Sequence, residues 1–561
     1  MRKLDAAWLL VLLLVVPLFV LIGQTLFDLG GRYHAPGDFA AIELRTRDVF
    51  SHPPLVGLYS RVDWHHPGPM FFYVLALPYR LLGSNSAAMD AGAVIVNGTA
   101  LVATVWIARR RGGIALMCCT VVGLSVLVHG LGPDFVRSPW NPSLPVLPFA
   151  LLIYLVWSML EEEAWALPAG VVVATFLVQT HVGYVLIALP MLVLGFVALL
   201  VHGRHGEQAR LSVTGAMLIS IGVGVVLWLP PIIDQLTNTP GNLGRVLNYF
   251  RHPDDKTHSF VQAWRLVAGE FSSKAEWLRG AQPLSPFAQG QHPFMFVIPA
   301  PLLLIPFALA GVVFWRRRAP SGLRLMAVIG VAFASGVLAA MRTVGPLLAY
   351  RVQWTWVIGA IAMIATVWAG WSALVARWPW MQARVLVPAT VVALVGLGVA
   401  SSVDAANAGM PIPDLTPDMN SAVAQFLPAL PPGPGVVLVK NPGIDGYFYP
   451  GVVLALEQHH IPVRIDSDPL RLLGSHRLYR GEPVRAAITV VANDGAFLAP
   501  AGTRLIAFGG KCPPERLVRE VFERNLLVAQ AKQGKITQQQ FFAAVARLCP
   551  QFGVGISLNT K

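Results

Sequence analysis

Long apolar runs recur through the first four hundred positions of the chain, and charged residues fall mostly between them. Many runs reach the ~20 residues that a helix needs to cross a bilayer. Arginine clusters at 109–111 and 316–318 end two of the runs, and such clusters mark the cytoplasmic ends of membrane spans. The pattern predicts an α-helical polytopic membrane protein with about 11 transmembrane helices and a cytoplasmic N-terminus.

The predicted spans are Ala6–Phe27, Ala88–Ala108, Gly113–His129, Leu144–Leu160, two within Pro168–Val201, Leu211–Leu229, Phe294–Trp315, Leu323–Ala340, Val352–Val375 and Val385–Ser402. The tract Pro168–Val201 is too long for one span, and the polar residues Gln179, Thr180 and His181 divide it. Pro69–Leu82 is apolar but short. We interpret it as interfacial or re-entrant, because counting it as a span would place the cluster at 109–111 outside.

After residue 403 the pattern changes to short apolar runs that alternate with amphipathic stretches, which predicts a soluble α/β domain. We therefore divide the chain into a membrane domain, 1–403, and an extracytoplasmic α/β domain, 404–561. The membrane domain would carry two external loops, at 28–87 and 232–292. The first apolar run is long for a signal peptide and lacks an A-x-A-like cleavage site, so we interpret it as a retained helix in the plasma or inner membrane.

Two cysteines, Cys512 and Cys549, fall in the predicted external domain. An oxidising compartment permits them to pair, so we predict a disulfide, with two free thiols as the alternative. Cys118 and Cys119 lie in the middle of a predicted span and are expected to be core residues.

Composition agrees with a membrane protein: 55% of residues are hydrophobic, only 13% are charged, and the mean hydropathy is +0.59. The net charge of +13 would indicate nucleic-acid binding in a soluble protein. Much of the Lys and Arg flanks hydrophobic segments here, so membrane orientation explains the charge and no nucleic-acid partner is expected. The chain has no phosphate-binding loop, G-x-G-x-x-G or H-E-x-x-H motif, so soluble-nucleotide and metalloprotease chemistry have no support.

The stretch from Gly31 to Tyr73 concentrates acids, arginines and histidines directly after the first span. Asp38 begins a helix-forming segment, where it could serve as a helix N-cap or as a catalytic acid at the membrane surface. Glu43 and Arg47 have the spacing of a surface i,i+4 ion pair.

His65 and His66 match no zinc-binding spacing, so we favour a packed loop and predict no metal site. His181 lies at a predicted external helix end, as either a satisfied polar residue or a functional group at membrane depth. Arg137, Arg342 and Arg351 lie in external loops or at helix ends. An arginine fork binds phosphate through two hydrogen bonds, and anchoring at the membrane interface is the alternative.

Several of these motifs together resemble integral-membrane glycosyltransferases of the GT-C type, among them protein O-mannosyltransferases, lipid A aminoarabinose transferases and lipopolysaccharide sugar transferases. The resemblance rests on GDFAAIEL around Asp38, on HHPGPMFFYVLALPYRLLG after it, on an alanine-rich span that ends in ARRRGG, and on WLPPIIDQL before a large external loop. It covers roughly the membrane half of the chain.

The resemblance implies sugar transfer from a polyprenyl-phosphate donor to an extracytoplasmic acceptor, which would be an envelope glycan, lipid or protein. Asp38 would be the general base. Relatives often carry two adjacent acids, but Phe39 follows Asp38 here, so Glu43 or Asp48 would supply a second acid.

Substrate-binding roles complete the expected site: Arg342, Arg351 and Arg137 for the donor phosphate, and His66, His181 and Asp48 for the donor or acceptor sugar. No cofactor is predicted, and a divalent metal stays open. The C-terminal domain would cap the acceptor side. The alternatives are a transporter or lipid flippase, in which internal repeats and broken helices are common, and a non-catalytic envelope assembly protein.

Overall fold

The computed structural model describes residues 6–60, 62–253, 255–280, 301–440, 448–492, 502–510 and 553–559, with single residues between 516 and 548. The chain forms two compact units. The first, which we call the membrane unit, comprises Met1–Asp28, Pro54–Gly83 and Ala88–Ala408. The second, which we call the α/β unit, comprises Leu29–Pro53, Ser84–Ala87 and Gly409–Lys561. The start of the first predicted external loop therefore belongs to the same unit as the C-terminal region.

The described α-helices are α1 (Ala6–Leu29), α2 (Gly37–Arg47), α3 (Met70–Leu81), α4 (Ser86–Leu131), α5 (Pro133–Val136), α6 (Val146–Leu160), α7 (Ala166–Thr180), α8 (Val185–His202), α9 (Glu207–Thr237), α10 (Asn242–Arg251), α11 (Phe260–Gly269), α12 (Glu276–Arg279), α13 (Leu304–Arg316), α14 (Pro320–Met341), α15 (Ala349–Val352), α16 (Trp354–Arg377), α17 (Val387–Ala406), α18 (Thr416–Ala429) and α19 (Tyr449–Gln458). The strands are β1 (Val436–Lys440), β2 (Val463–Ile465), β3 (Val484–Ala492), β4 (Thr503–Gly510) and β5 (Gly553–Asn559).

Apolar helices make up most of the membrane unit and confirm a polytopic membrane protein. Seven described helical segments are long and apolar enough to cross a bilayer, and α3, α6, α7 and α13 are shorter apolar helices. Each predicted span overlaps one of these helices, while the count of 11 stays a prediction. Gly113 has φ 63° and ψ −159°, a conformation open to glycine, and it breaks α4 between two predicted spans.

Three consecutive glutamates after α6 form ion pairs with basic residues of other helices at one face of the membrane unit. Glu163 Oε2 lies 2.9 Å from Arg110 Nη2, and Glu161 Oε2 lies 3.1 Å from Arg324 Nη1. The glutamate between them lies 3.1 Å from Nδ1 of His202. These pairs place the break in α4, the end of α8 and the start of α14 on the same face, as the arginine pattern predicts.

The α/β unit contains a five-stranded sheet of order β2-β1-β3-β5-β4. β1 pairs in parallel with β2 and β3, whereas β5 is antiparallel to β3 and β4. The parallel strands bury apolar residues, among them Val437, Ile465 and Ile488. α18 packs against β4, and α19 packs against α2. The α/β character predicted from the sequence is confirmed.

The described cysteines, Cys118 and Cys119, are buried and free within α4, as expected for core residues. Cys512 and Cys549 lie outside the described residues, so their disulfide stays a prediction.

The orientation of the membrane unit can be tested with two exposed arginines, Arg204 beyond α8 and Arg342 beyond α14. In a variant without the four native cysteines, we expect Arg342→Cys to react with a membrane-impermeant maleimide added to intact cells. Arg204→Cys should react only after the membrane is permeabilised, because it follows His202 on the glutamate face. External labelling at position 204 would contradict a cytoplasmic location for the arginine clusters.

Candidate functional site

A short hairpin before α3 fixes the position of His66. The backbone N–H of Gly57 donates to His66 O at 2.9 Å, and His66 N–H donates to Leu58 O at 2.8 Å. The side chain of Asn242, the first residue of α10, acts as a further strand partner. Its Nδ2 donates to His65 O at 2.9 Å, and its Oδ1 accepts from His65 N–H at 2.8 Å. The hairpin is therefore bound to helices of the same unit on both sides.

Gln179, part of the polar break predicted in the sequence, ties the hairpin to the end of α7. Its buried side chain accepts from Met70 N–H through Oε1 at 3.1 Å and donates from Nε2 to Leu227 O at 2.8 Å. Its backbone oxygen accepts from Gly68 N–H at 3.4 Å. The chain beyond α7 is thereby held beside the hairpin, which brings His181 next to His66.

The rings of His66 and His181 stack with their centroids 4.8 Å apart and their planes at 29°. Nδ1 of His66 accepts from Val182 N–H at 3.2 Å, and Nδ1 of His181 accepts from Gly183 N–H at 3.2 Å. A ring nitrogen that accepts a backbone hydrogen bond carries no proton, so each neutral imidazole holds its proton on Nε2. Both rings can therefore act as hydrogen-bond donors without being charged.

Burial keeps both imidazoles neutral, and nearby positive charge adds to its effect. Burial lowers the pKa of His66 well below its usual value, and electrostatic interactions with His181, His65 and Arg351 lower it further. Burial and Arg351 lower the pKa of His181 to about 3. Arg351 is thus electrostatically coupled to both rings. We call His66, His181 and Arg351 the His–Arg cluster.

The guanidinium of Arg351 is positioned by the loop that precedes α15. Its Nη1 donates to Val344 O at 3.2 Å, and Cζ lies 5.8 Å from the ring centroid of Tyr350. Tyr350 in turn packs against Trp140, with centroids 4.8 Å apart. His258 Nε2 lies 2.7 Å from Gly345 O and holds the same loop. The cluster combines one fixed cation with two N–H donors, a combination suited to phosphate.

The other two predicted phosphate ligands differ in their surroundings. Arg342 follows α14 and its side chain is exposed. Arg137 is buried; its Nη2 donates to Asp134 Oδ1 at 2.5 Å and its Nη1 donates to Gln24 Oε1 at 3.2 Å. These internal contacts of Arg137 link α5 to α1, and its role at the donor phosphate stays a prediction.

The three acids predicted in the first external loop lie in or directly after α2 of the α/β unit. Asp38 is in the first turn of α2 and is half-buried; the N-cap is Pro36, so the N-cap interpretation of Asp38 is wrong. Glu43 is 0% exposed, which corrects the expectation of a surface residue. Its Oε2 accepts from Ser86 Oγ at 2.6 Å and its Oε1 accepts from Gln458 Nε2 at 2.8 Å.

Asp48 is only 3% exposed and forms a bidentate pair with Arg477, with Nη1–Oδ2 and Nη2–Oδ1 distances both 2.8 Å. Nε2 of His476 lies 3.3 Å from Oδ1. Burial alone would raise the pKa of Asp48, but the bonds from His476 and Arg477 outweigh it and hold the pKa below its usual value. Both carboxylate oxygens are thus engaged within the α/β unit.

Sequence reasoning missed Glu270, a buried acid of the membrane unit that directly follows α11. It is 6% exposed; Oε1 accepts from Thr355 Oγ1 at 2.9 Å, and Oε2 has no hydrogen-bond partner among the described residues. Burial raises its pKa to about 8; the bond from Thr355 lowers it and the charge of Glu276 raises it further. In the sequence, Glu270 looks like any other acid of a polar loop, because only tertiary packing against α16 buries it.

An apolar groove of about 660 Å³ runs between α1 and the first half of α4 in the membrane unit. Its lining includes Trp8, Val15, Ile22, Val102 and Trp106. Such a surface accommodates hydrocarbon. Among the described residues, no three His, Cys, Asp or Glu side chains are grouped so that they could hold a metal ion.

Two solved structures of ArnT from Cupriavidus metallidurans are similar to the chain. The form bound to undecaprenyl phosphate has a TM-score of 0.54 and 15% sequence identity, and the match covers 90% of this chain and 97% of the ArnT chain. The apo form has a TM-score of 0.52 and 15% identity, with 89% and 96% covered. The fold expected from the GT-C resemblance is therefore confirmed.

The apo oligosaccharyltransferase of Archaeoglobus fulgidus is a weaker likeness, with a TM-score of 0.37 and 9% identity over 88% of this chain and 70% of that one. No protein-family model matches the chain, and no curated protein matches it.

The raised pKa of Glu270 predicts a pH-dependent contribution to stability. The folded protein binds this proton more tightly than the unfolded chain, so stability falls as the pH rises from the ordinary pKa near 4.5 through about 8. Glu270→Gln cannot ionise. We expect it to raise the melting temperature at pH 9 by about 1–3 °C and to change it little at pH 4.5.

The measurement is thermal unfolding of the detergent-purified protein at the two pH values. Glu276→Gln, at a carboxyl that is less buried, is the matched control and should show a smaller difference. Equal melting temperatures of Glu270→Gln and the unmutated protein at pH 9 would contradict a buried, protonated Glu270.

Proposed function

We propose that the protein is a membrane glycosyltransferase that transfers a sugar from a polyprenyl-phosphate donor to an acceptor on the extracytoplasmic side. The observation that carries the proposal is the His–Arg cluster, a phosphate-suited set of donors held within a unit of apolar helices. The fold shared with ArnT, which has been solved with undecaprenyl phosphate, supports a lipid-phosphate ligand. The groove between α1 and α4 offers apolar surface suited to a lipid chain.

The leaving group of this reaction is a lipid phosphate, which is already acidic and needs charge stabilisation rather than a proton. Arg351 supplies the positive charge, and the Nε2–H groups of His66 and His181 supply neutral donors for the phosphate or the adjoining sugar oxygens. Neutral imidazoles suit this task. Because their pKa values are low, they stay uncharged and add no positive charge that would hold the phosphate product too tightly. Arg342 is a second, exposed cation for the donor in this proposal.

The acceptor hydroxyl is a weak nucleophile, and a carboxylate that removes its proton typically contributes ~10²–10⁴-fold to the rate. Asp38 is the proposed general base, on the strength of its position directly after the first span and of the family resemblance. Glu43 and Asp48 already accept hydrogen bonds within the α/β unit, so we assign them to positioning α2.

Binding of radiolabelled undecaprenyl phosphate and transfer from a panel of undecaprenyl-phosphate sugars to envelope fractions together test the function. A glycosyltransferase releases undecaprenyl phosphate in proportion to the sugar transferred. Lipid movement between the leaflets of proteoliposomes without sugar release would instead indicate a flippase. Binding with neither activity would favour an assembly protein.

Arg351→Ala should weaken undecaprenyl phosphate binding by at least ~10-fold, because a hydrogen bond to a charged group contributes about 1.5–3 kcal/mol. Arg351→Lys keeps the charge but loses the planar fork, so its loss should be smaller. Arg245→Ala is the matched control, since Arg245 pairs with exposed Asp63 in the same unit. Unchanged affinity in Arg351→Ala would reject the phosphate assignment.

Asp38→Asn keeps the size of the side chain but removes its basicity. We expect this variant to bind undecaprenyl phosphate normally and to lose at least ~10²-fold in single-turnover transfer. Glu43→Gln should cost less, because the amide can keep part of the contacts with Ser86 and Gln458. Near-normal transfer by Asp38→Asn would show that another group is the base.

A further inference from the structure

Residues of the C-terminal region surround the first-loop helix α2 along its length. Just before the helix, His34 N–H donates to Asn420 Oδ1 at 3.0 Å. In its middle, Gln458 of α19 donates to Glu43 at 2.8 Å. At its end, Nε of Arg47 lies 3.4 Å from Oε2 of Glu457. The helix is thus attached to the α/β unit by partners between 386 and 415 residues away in sequence.

Arg477 is the central residue of this attachment. It is 3% exposed, and besides its two bonds to Asp48 it donates from Nε to Glu457 Oε1 at 2.7 Å and from Nη2 to Glu457 Oε2 at 3.2 Å. Nη1 also donates to the backbone oxygen of Leu473. One planar guanidinium therefore joins Asp48, directly after α2, to α19 and to the loop that carries Arg477.

The approach of α19 to the chain before α2 leaves little free space. A Cβ atom at Gly451 would lie 2.9 Å from Ala35 O and 2.8 Å from Met419 Sδ, closer than side chains normally approach. Backbone packing at Ala35 and charge pairing at Asp48 thus hold both ends of the segment 35–48. Asp38 lies between these two attachments.

We propose that the C-terminal domain acts as the scaffold of the first external loop and that Arg477 is a positioning residue that holds Asp38 through Asp48 and α2. The catalytic consequence rests on the proposed function, in which Asp38 is the general base. In this proposal the domain sets the geometry of the base, a role different from the acceptor cap expected from the sequence.

The first test needs no enzymatic activity. Hydrogen–deuterium exchange of the full-length protein compares the segment 37–48 with strands β1 and β3. Arg477→Gln should raise exchange in 37–48 by at least ~10-fold and leave the two strands unchanged. Arg464→Gln is the matched control, because Arg464 pairs with Glu482 at 2.5 Å in the same unit but is partly exposed. It should leave 37–48 unchanged.

Two results of this exchange experiment would overturn the scaffold. Unchanged exchange in 37–48 would show that Arg477 does not hold α2. Increased exchange throughout the strands would show a general loss of folding instead. If Arg477→Gln cannot be purified, the double variant Asp48→Asn/Arg477→Gln takes its place. The Asp48→Asn change removes the carboxylate charge that would otherwise lose its arginine partner. The same exchange pattern is expected.

The second test asks whether Arg477 acts through Asp38. In Arg477→Gln, kcat for transfer from an undecaprenyl-phosphate sugar should fall by at least ~10-fold, with the donor KM and undecaprenyl phosphate binding unchanged. In the Asp38→Asn background, Arg477→Gln should cause little further loss, because the group that it positions is gone. Losses that multiply would overturn the positioning role. If the unmutated protein transfers no sugar, the proposed function fails, and the exchange experiment still decides the scaffold.

Discussion

The need to pair buried polar groups inside the protein governs much of this structure. Apolar surroundings offer no water, and an unpaired donor or acceptor there is costly. Asn242 therefore binds the backbone of the hairpin, Gln179 binds the backbone at the start of α3, and the glutamates after α6 pair with basic residues from other helices. These polar residues near helix ends connect segments that are far apart in sequence, so satisfying their hydrogen bonds also builds the tertiary structure.

The same constraint shapes the His–Arg cluster. Backbone N–H groups at the start of the helix after His181 donate to both imidazoles, which fixes the tautomer of each ring and leaves Nε2–H as a donor. With a nearby guanidinium, a charged imidazolium would be unfavourable, so the cluster carries one permanent positive charge in place of three. A single charge with two neutral donors can bind a phosphate and still release it.

In the α/β unit, the end of α2 is attached through a buried group of paired charges. Breaking a buried ion pair by removing one partner typically costs about 3–5 kcal/mol, since the other charge is left uncompensated. Arg477 with Asp48 and Glu457 is such an arrangement. Its geometry makes the attachment of α2 specific, because the guanidinium fork accepts carboxylates only in defined orientations.

The sequence alone predicted the fold class and most of the helices. Span-length apolar runs and arginine clusters predicted the membrane helices, the break at Gln179–His181 and the α/β region after residue 403, because hydrophobic length and periodicity are local properties. The motif around Asp38 and the HHPGP element that begins at His65 also indicated this fold.

Tertiary structure alone decided which polar residues have partners. Glu43 was expected at the surface, Asp48 at a sugar and Arg137 at the donor phosphate, and Glu270 had no distinguishing signal. Their burial and pairing depend on residues such as Gln458, Arg477, Gln24 and Thr355, which lie far away in the chain, and a single sequence carries no local record of such contacts.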